Sequence, residues 1–157
     1  MKNQTIMNRK SAKKLLMVQW SRFQNVCIEL EGSTLVTGVN GSGKSTVLDA
    51  MTYLLTGNTQ FNKAAKDRDR TVLGYVRGDT RSNGEARYLR NGSVVSYIAM
   101  EFSDPTLGQP LTVGVCIESP SESGKPVSSL FVQGRRLTIS ILHGLREMHS
   151  ASRRKMS

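Results

Sequence analysis

The stretch Gly38-Val39-Asn40-Gly41-Ser42-Gly43-Lys44-Ser45-Thr46 decides how the rest of the chain is read. It fits G-x-x-x-x-G-K-[ST] in full, the spacing of a loop that wraps main-chain amides around phosphate. Glycines at 41 and 43 let the backbone turn through conformations a side chain forbids, so successive N–H groups point inward. Those groups, with the positive end of the helix that follows, form a cradle for a β-phosphate. Lys44 sets its ammonium against the β- and γ-phosphates. Ser45 offers a hydroxyl ligand to Mg2+, and Thr46 reaches the α-phosphate. Gly38, Val39, Asn40 and Ser42 complete the expected nucleotide-binding set.

Such a loop needs a strand before it and a helix after it. Thr34, Leu35, Val36 and Thr37 read as a strand running straight into Gly38. Beyond Lys44, the residues Val47, Leu48, Met51, Leu54 and Leu55 recur at three- and four-residue spacing and give one apolar face. Gly57 follows the last of them and is a fitting stop. The spacing therefore predicts a helix over residues 44–55, roughly 17 Å long.

Further out, residues 15–20 and 26–30 read as two strands joined by 21–25, with a turn at 31–33. Residues 58–92 are polar and rich in Arg, Lys, Asp and Gly, with a short helix expected around 67–76. Strand patterns return at 94–102, 111–118 and 128–132, and Gln133-Gly134 reads as a tight turn into a strand at 136–141. Loops rich in Pro, Gly and Ser, 104–110 and 120–126, separate them. The division expected is a basic arm over 1–13, one P-loop half-domain over 14–142, and an irregular basic tail over 143–157.

The bulk composition suits one soluble domain. Of 157 residues, 38% are hydrophobic and 22% charged. No apolar run approaches the ~18–20 residues a bilayer span needs. The basic N-terminus is followed by only four apolar residues, too few for a signal-peptide core, so no membrane and a cytoplasmic location are expected. Cys27 and Cys116 are flanked by Val and Ile and read as small buried hydrophobes. His143 and His149 receive no role. The formal net charge of +10 favours polyanionic partners such as nucleic acid.

A P-loop alone does not say which nucleotide it takes. A guanine site needs N-K-x-D, and Asn62-Lys63-Ala64-Ala65 lacks the aspartate. The cofactors expected at the phosphate loop are ATP and Mg2+. Hydrolysis needs a carboxylate on a buried apolar strand. The nearest string, Ile98-Ala99-Met100-Glu101, has neighbours that alternate like an ordinary half-exposed strand, so no catalytic residue is assigned in this chain.

The extended string from Gly38 through Leu48-Asp49-Ala50 resembles the N-terminal half of ABC-type ATPase heads in the SMC superfamily. Trp20-Ser21-Arg22-Phe23-Gln24-Asn25 looks like the segment by which such heads enter their first sheet. Strand 96–102 and the hairpin around Gln133-Gly134-Arg135-Arg136 look like that family's antiparallel lobe. Tyr75-Val76-Arg77-Gly78 and Ser96-Tyr97-Ile98-Ala99 are most similar to the MukB-like group, which includes the Wadjet anti-plasmid SMC protein. The resemblance covers roughly residues 15–140 and implies an α/β fold: a P-loop NTPase (ABC-type) N-terminal half-head with an antiparallel β-lobe.

The resemblance further implies an ATPase of which this chain is the ATP-binding part, acting on DNA in DNA organisation, repair or anti-plasmid defence. The partners implied are nucleotide, the C-terminal half-head, a second head that completes a dimer around two ATP molecules, and DNA held by the assembled complex. Trp20 is read as core rather than as an adenine or ribose contact, a role also open to Arg22. One of Arg68, Arg70 and Arg77 is a candidate near nucleotide or DNA, against the plainer reading of a solvated basic face. The chain departs from the pattern in lacking a glutamine loop, a Ser-Gly-Gly signature, a Walker B aspartate–glutamate pair and a switch histidine. Ser123-Gly124-Lys125 lies between prolines and does not fit the signature. Residues 148–157 are read as a truncated or frameshifted end.

Three rivals stand beside this reading. A small P-loop phosphotransferase would use the arginines between 68 and 90 as a lid. A non-catalytic basic DNA-binding fragment would bind DNA without regard to ATP. A gene remnant would not fold alone.

Overall fold

The structure, a computed structural model, describes residues 10–61, 70–80, 87–104, 108–138, 140 and 144. Five strands form one antiparallel sheet: β1 (Ser11–Trp20), β2 (Phe23–Glu29), β3 (Val94–Ser103), β4 (Pro110–Ser119) and β5 (Val127–Gln133). Their spatial order is β2-β1-β3-β4-β5. The register is set by apolar residues that fall on one face: Met17 pairs with Ile98, Ile98 with Val115, and Val115 with Leu130. Helices α1 (Lys44–Thr56) and α2 (Val72–Arg77) both cover that face.

Alternation within each strand explains the two layers of burial. Leu15, Met17, Ile98, Met100, Val115 and Ile117 meet Val47, Ala50 and Leu54 of α1 and Tyr75 and Val76 of α2. On the reverse face Leu16, Tyr97, Ala99 and Cys116 gather with Leu137. β1 and β3 are thus buried on both sides, which their near-continuous apolar runs require.

An aromatic cluster joins the helices to the end of β1. Trp20 is fully buried and stacks on Tyr75, with centroids 4.5 Å apart and 13° between planes. Phe61 meets Tyr75 edge-on at 4.8 Å. Offset stacks and edge contacts of this kind are favourable beyond the area they bury.

The P-loop helix has the expected extent, one residue longer at its end. Gly57, at φ 67°, donates its N–H to the Tyr53 carbonyl at 2.9 Å and stops it. α2 is shorter than the helix expected around 67–76. Thr71 caps it by accepting from Gly74 N at 3.0 Å.

Several expectations are corrected. β1 begins at Ser11, so three residues assigned to the basic arm belong to the sheet. Residues 34–37 form no strand. They are exposed, Leu35 to 85%, because no described strand lies beside them to share hydrogen bonds. Residues 136–138 form no strand either, since the chain after Gly134 turns back to bury Leu137 and bond its N–H to Glu101. Cys116 is buried as expected, but Cys27 is exposed on edge strand β2. Asn62 to Ala65, Arg68, both histidines and the stretch 148–157 lie outside the described residues. Among the described residues the architecture is a P-loop-like α/β domain in which one antiparallel sheet carries α1 and α2.

Trp20→Ala is expected to destabilise the chain by about 3–5 kcal/mol, the usual cost of emptying an aromatic core site. Urea unfolding followed by circular dichroism measures it.

Candidate functional site

The loop from Gly38 to Gly43 turns through conformations that only glycine adopts without strain. Gly41 sits at φ 83° and Gly43 at φ 98°. Space is as limiting as dihedral at position 43, where a Cβ would lie 2.7 Å from Cζ of Phe23. Gly43 is the N-cap of α1, and the first helical bond runs from Val47 N to the Gly43 carbonyl at 3.1 Å. The N–H groups of Lys44, Ser45 and Thr46 therefore have no partner within the helix. They add to the positive end of a helix thirteen residues long.

Lys44 bends back over the loop. Its Nζ donates to the Gly38 carbonyl at 2.6 Å and to the Val39 carbonyl at 2.9 Å. Gly38 and Val39 thus anchor the lysine, while residues 40–46 line a cavity of about 450 Å3. That volume falls in the ordinary range for small-molecule sites.

Two further segments complete the cavity wall. One is the turn between β1 and β2, residues 21–23. The other comprises Arg70, Gly74, Tyr75, Asp79 and Thr80 around α2. A buried network ties the second wall to the P-loop helix. Asp49, on α1 one turn past Ser45, accepts a short hydrogen bond from the Tyr75 hydroxyl and an ion pair from Arg70 Nη1 at 3.1 Å. Burial first, and the bond to Asp49 second, raise the Tyr75 phenol well above its ordinary range. The hydroxyl stays protonated and donating.

The residues weighed for nucleotide contact separate cleanly. Trp20 is core, and its Nε1 donates to the Thr46 carbonyl at 3.2 Å, so it supports the helix start from beneath. Arg22 is exposed and lines the cavity, and Arg70 lines it too. Arg77 does neither. It is fully buried, and its guanidinium donates to the carbonyls of Arg90, Gly92 and Ser119 and to Ser119 Oγ, all within 3.0 Å. It belongs neither to the cavity wall nor to a solvated basic face.

Glu101 is buried rather than half-exposed, because β3 is covered on both faces. Its Oε2 accepts from Leu137 N at 2.7 Å, and it does not line the phosphate-loop cavity. Among the described residues Asp79 is the acid that does line it, held by Arg87 Nε at 3.5 Å. Asp79, Tyr75 and Thr80 line the cavity without a signal in the sequence, since no spacing connects them to the loop. Ser21 and Phe23 flank Arg22, and that adjacency was the only available signal. Among the described residues no group of three or more His, Cys, Asp or Glu could hold a metal ion. Among the same residues no helix is long and apolar enough to cross a membrane.

Residues 12–68 match the family model described as the P-loop containing region of AAA domain. The match covers roughly a third of the chain and takes in β1, β2, the loop and α1. The chain therefore carries a P-loop NTPase-like domain. No curated protein sequence matches it.

Gly43→Ala is expected to destabilise the chain by about 1–3 kcal/mol, from a strained left-handed residue and the clash with Phe23 together. In a Phe23→Ala background the same change should cost only the backbone part, about 1 kcal/mol. A double-mutant cycle in urea separates the two.

Proposed function

We propose that this chain binds MgATP at its phosphate loop and forms the N-terminal part of an SMC-like ABC ATPase head that acts on DNA. The observation that carries the reading is the start of α1. Three amides without intrahelical partners, a left-handed Gly43 and an inward-folded Lys44 meet at one cavity. Residues 38–46 are the nucleotide set. Lys44, whose Nζ now bonds the carbonyls of Gly38 and Val39, would hold the β- and γ-phosphates of ATP. The Ser45 hydroxyl would hold Mg2+, an ion usually bound through few protein ligands together with phosphate.

Exposed apolar residues around the same helix support the larger assembly. Leu35, Val39, Leu48 and Leu55 all face solvent. The rest of a head, lying along 34–39 and the outer side of α1, would cover them and give 34–37 the neighbouring strand it lacks. That remainder, in a second polypeptide or a longer form of this one, supplies the carboxylates and signature that hydrolysis needs. DNA contact belongs to the assembled, cytoplasmic complex and draws on the net charge of +10.

The phosphotransferase reading is weaker on one specific point. A lid needs arginines free to swing onto phosphates. Arg77 and Arg90 both spend their guanidinium groups on main-chain carbonyls.

Calorimetric titration of the full chain with MgATP tests the proposal. Saturable binding is expected, and Lys44→Ala should weaken it at least about tenfold, the loss of one strong charge-assisted contact. Steady turnover by the pure chain that disappears in Lys44→Ala would contradict the half-head reading.

A further inference from the structure

The turn between β1 and β2 is held more firmly than a surface turn needs. Gln19 and Ser21, neither a glycine, both sit at φ 52°, a conformation side-chain-bearing residues rarely hold without outside restraint. The restraint is visible. Ser21 N donates to the Tyr75 carbonyl at 2.6 Å. Arg90 then spans the turn: Nη1 donates to the carbonyls of Ser21 at 2.9 Å and Val76 at 3.0 Å, and Nη2 to the carbonyl of Phe23 at 3.0 Å. Arg90 is itself fixed. Its N–H bonds the Arg77 carbonyl at 3.1 Å, and buried Arg77 bonds the Arg90 carbonyl at 3.0 Å. Gly78 leaves room for the arrangement, since a Cβ there would lie 2.8 Å from the Ser21 carbonyl oxygen.

This clamp grips the residue on each side of Arg22 and leaves the Arg22 side chain in solvent on the cavity wall. The position along the cavity matters. Trp20, which leads into the turn, bonds the Thr46 carbonyl, so the turn stands beside the last of the loop residues. A triphosphate seated on the amides of 43–46, with its α-phosphate at Thr46, would extend its nucleoside past Thr46 within the cavity that residues 21–23 also line. The main-chain carbonyls of Ser21 and Phe23 already accept from Arg90. The groups this wall offers a nucleoside are the planar Arg22 guanidinium and the edge of Phe23, suited to stacking and to ribose contact.

Resting on the MgATP reading above, we infer that Arg90 is a positioning residue that holds the β1–β2 turn as the nucleoside-binding wall of the cavity, with Arg22 as the group that touches the nucleoside. Arg90 itself touches no ligand. It acts by keeping a strained turn in the one shape that presents Arg22.

The test compares MgATP with magnesium tripolyphosphate, which keeps the phosphates and lacks the nucleoside, on the full chain by calorimetry. Wild type should bind ATP more tightly than tripolyphosphate by about tenfold or more, the scale of one stacking or charged contact. Arg90→Lys keeps the charge but replaces the fork with a point donor. It should lose most of that advantage and leave tripolyphosphate affinity within about twofold of wild type. Arg22→Ala, at an exposed position that folding does not depend on, should do the same.

A parallel fall in both affinities for either variant, or no change in both, overturns the inference and leaves the phosphate loop standing. A wild-type chain that binds neither ligand removes the phosphate-loop reading and the inference together.

Discussion

The first turn of α1 is the constraint on which everything else here depends. Three amides at its start lack helical partners, and a helix that merely ended at a surface would give them to water. Here they face a cavity, because Trp20 fixes the turn from below through the Thr46 carbonyl and Phe23 presses against Gly43 from the side. The indole that makes this bond is also the centre of the aromatic cluster. Packing in the core and aim at the phosphate loop are therefore one event, and the loop's shape is set before any ligand arrives.

The chain spends charge inside itself in an unusual way. Arg77 is wholly buried and Arg90 partly so, and the described bonds of both guanidinium groups go to main-chain carbonyls and a serine hydroxyl rather than to carboxylates. Burial lowers the Arg90 pKa from its ordinary value, although a guanidinium remains charged under any physiological condition. Several carbonyls around one cation share the work a single carboxylate would do, and they stitch α2, the β1–β2 turn and the end of β4 into one body. Part of the chain's positive balance is thus structural, and it is not all available to a polyanion.

How much of this was legible in the sequence divides along the range of the interactions. The loop and its helix are local: Gly41, Gly43, Lys44 and the apolar spacing from Val47 to Leu55 carry their own geometry, and Gly57 carries its own stop. β3, β4 and β5 were readable for the same reason, since alternation is a local signal. The strand expected at 34–37 was not to be had, because a strand exists only beside another. Its apolar pair, Leu35 and Val36, lies exposed outside the core. The Asp49–Tyr75–Arg70 network joins residues 21 to 26 positions apart, and the Arg90 clamp spans up to 69. No window of sequence contains either. Glu101 misled in the opposite direction. Polar residues on a strand suggest exposure, whereas this carboxylate is buried to receive the main-chain N–H of Leu137, where the chain returns after β5.

The central claim is that main-chain amides at the start of α1 hold a polyphosphate, and their own resonances report on it most directly. In a 1H–15N spectrum of the full chain titrated with MgATP, the amides of Gly41, Gly43, Lys44 and Ser45 should move furthest. Those of β5, away from the cavity, should stay in place. Saturable shifts centred on any other part of the sheet, with the loop amides unmoved, would contradict the account.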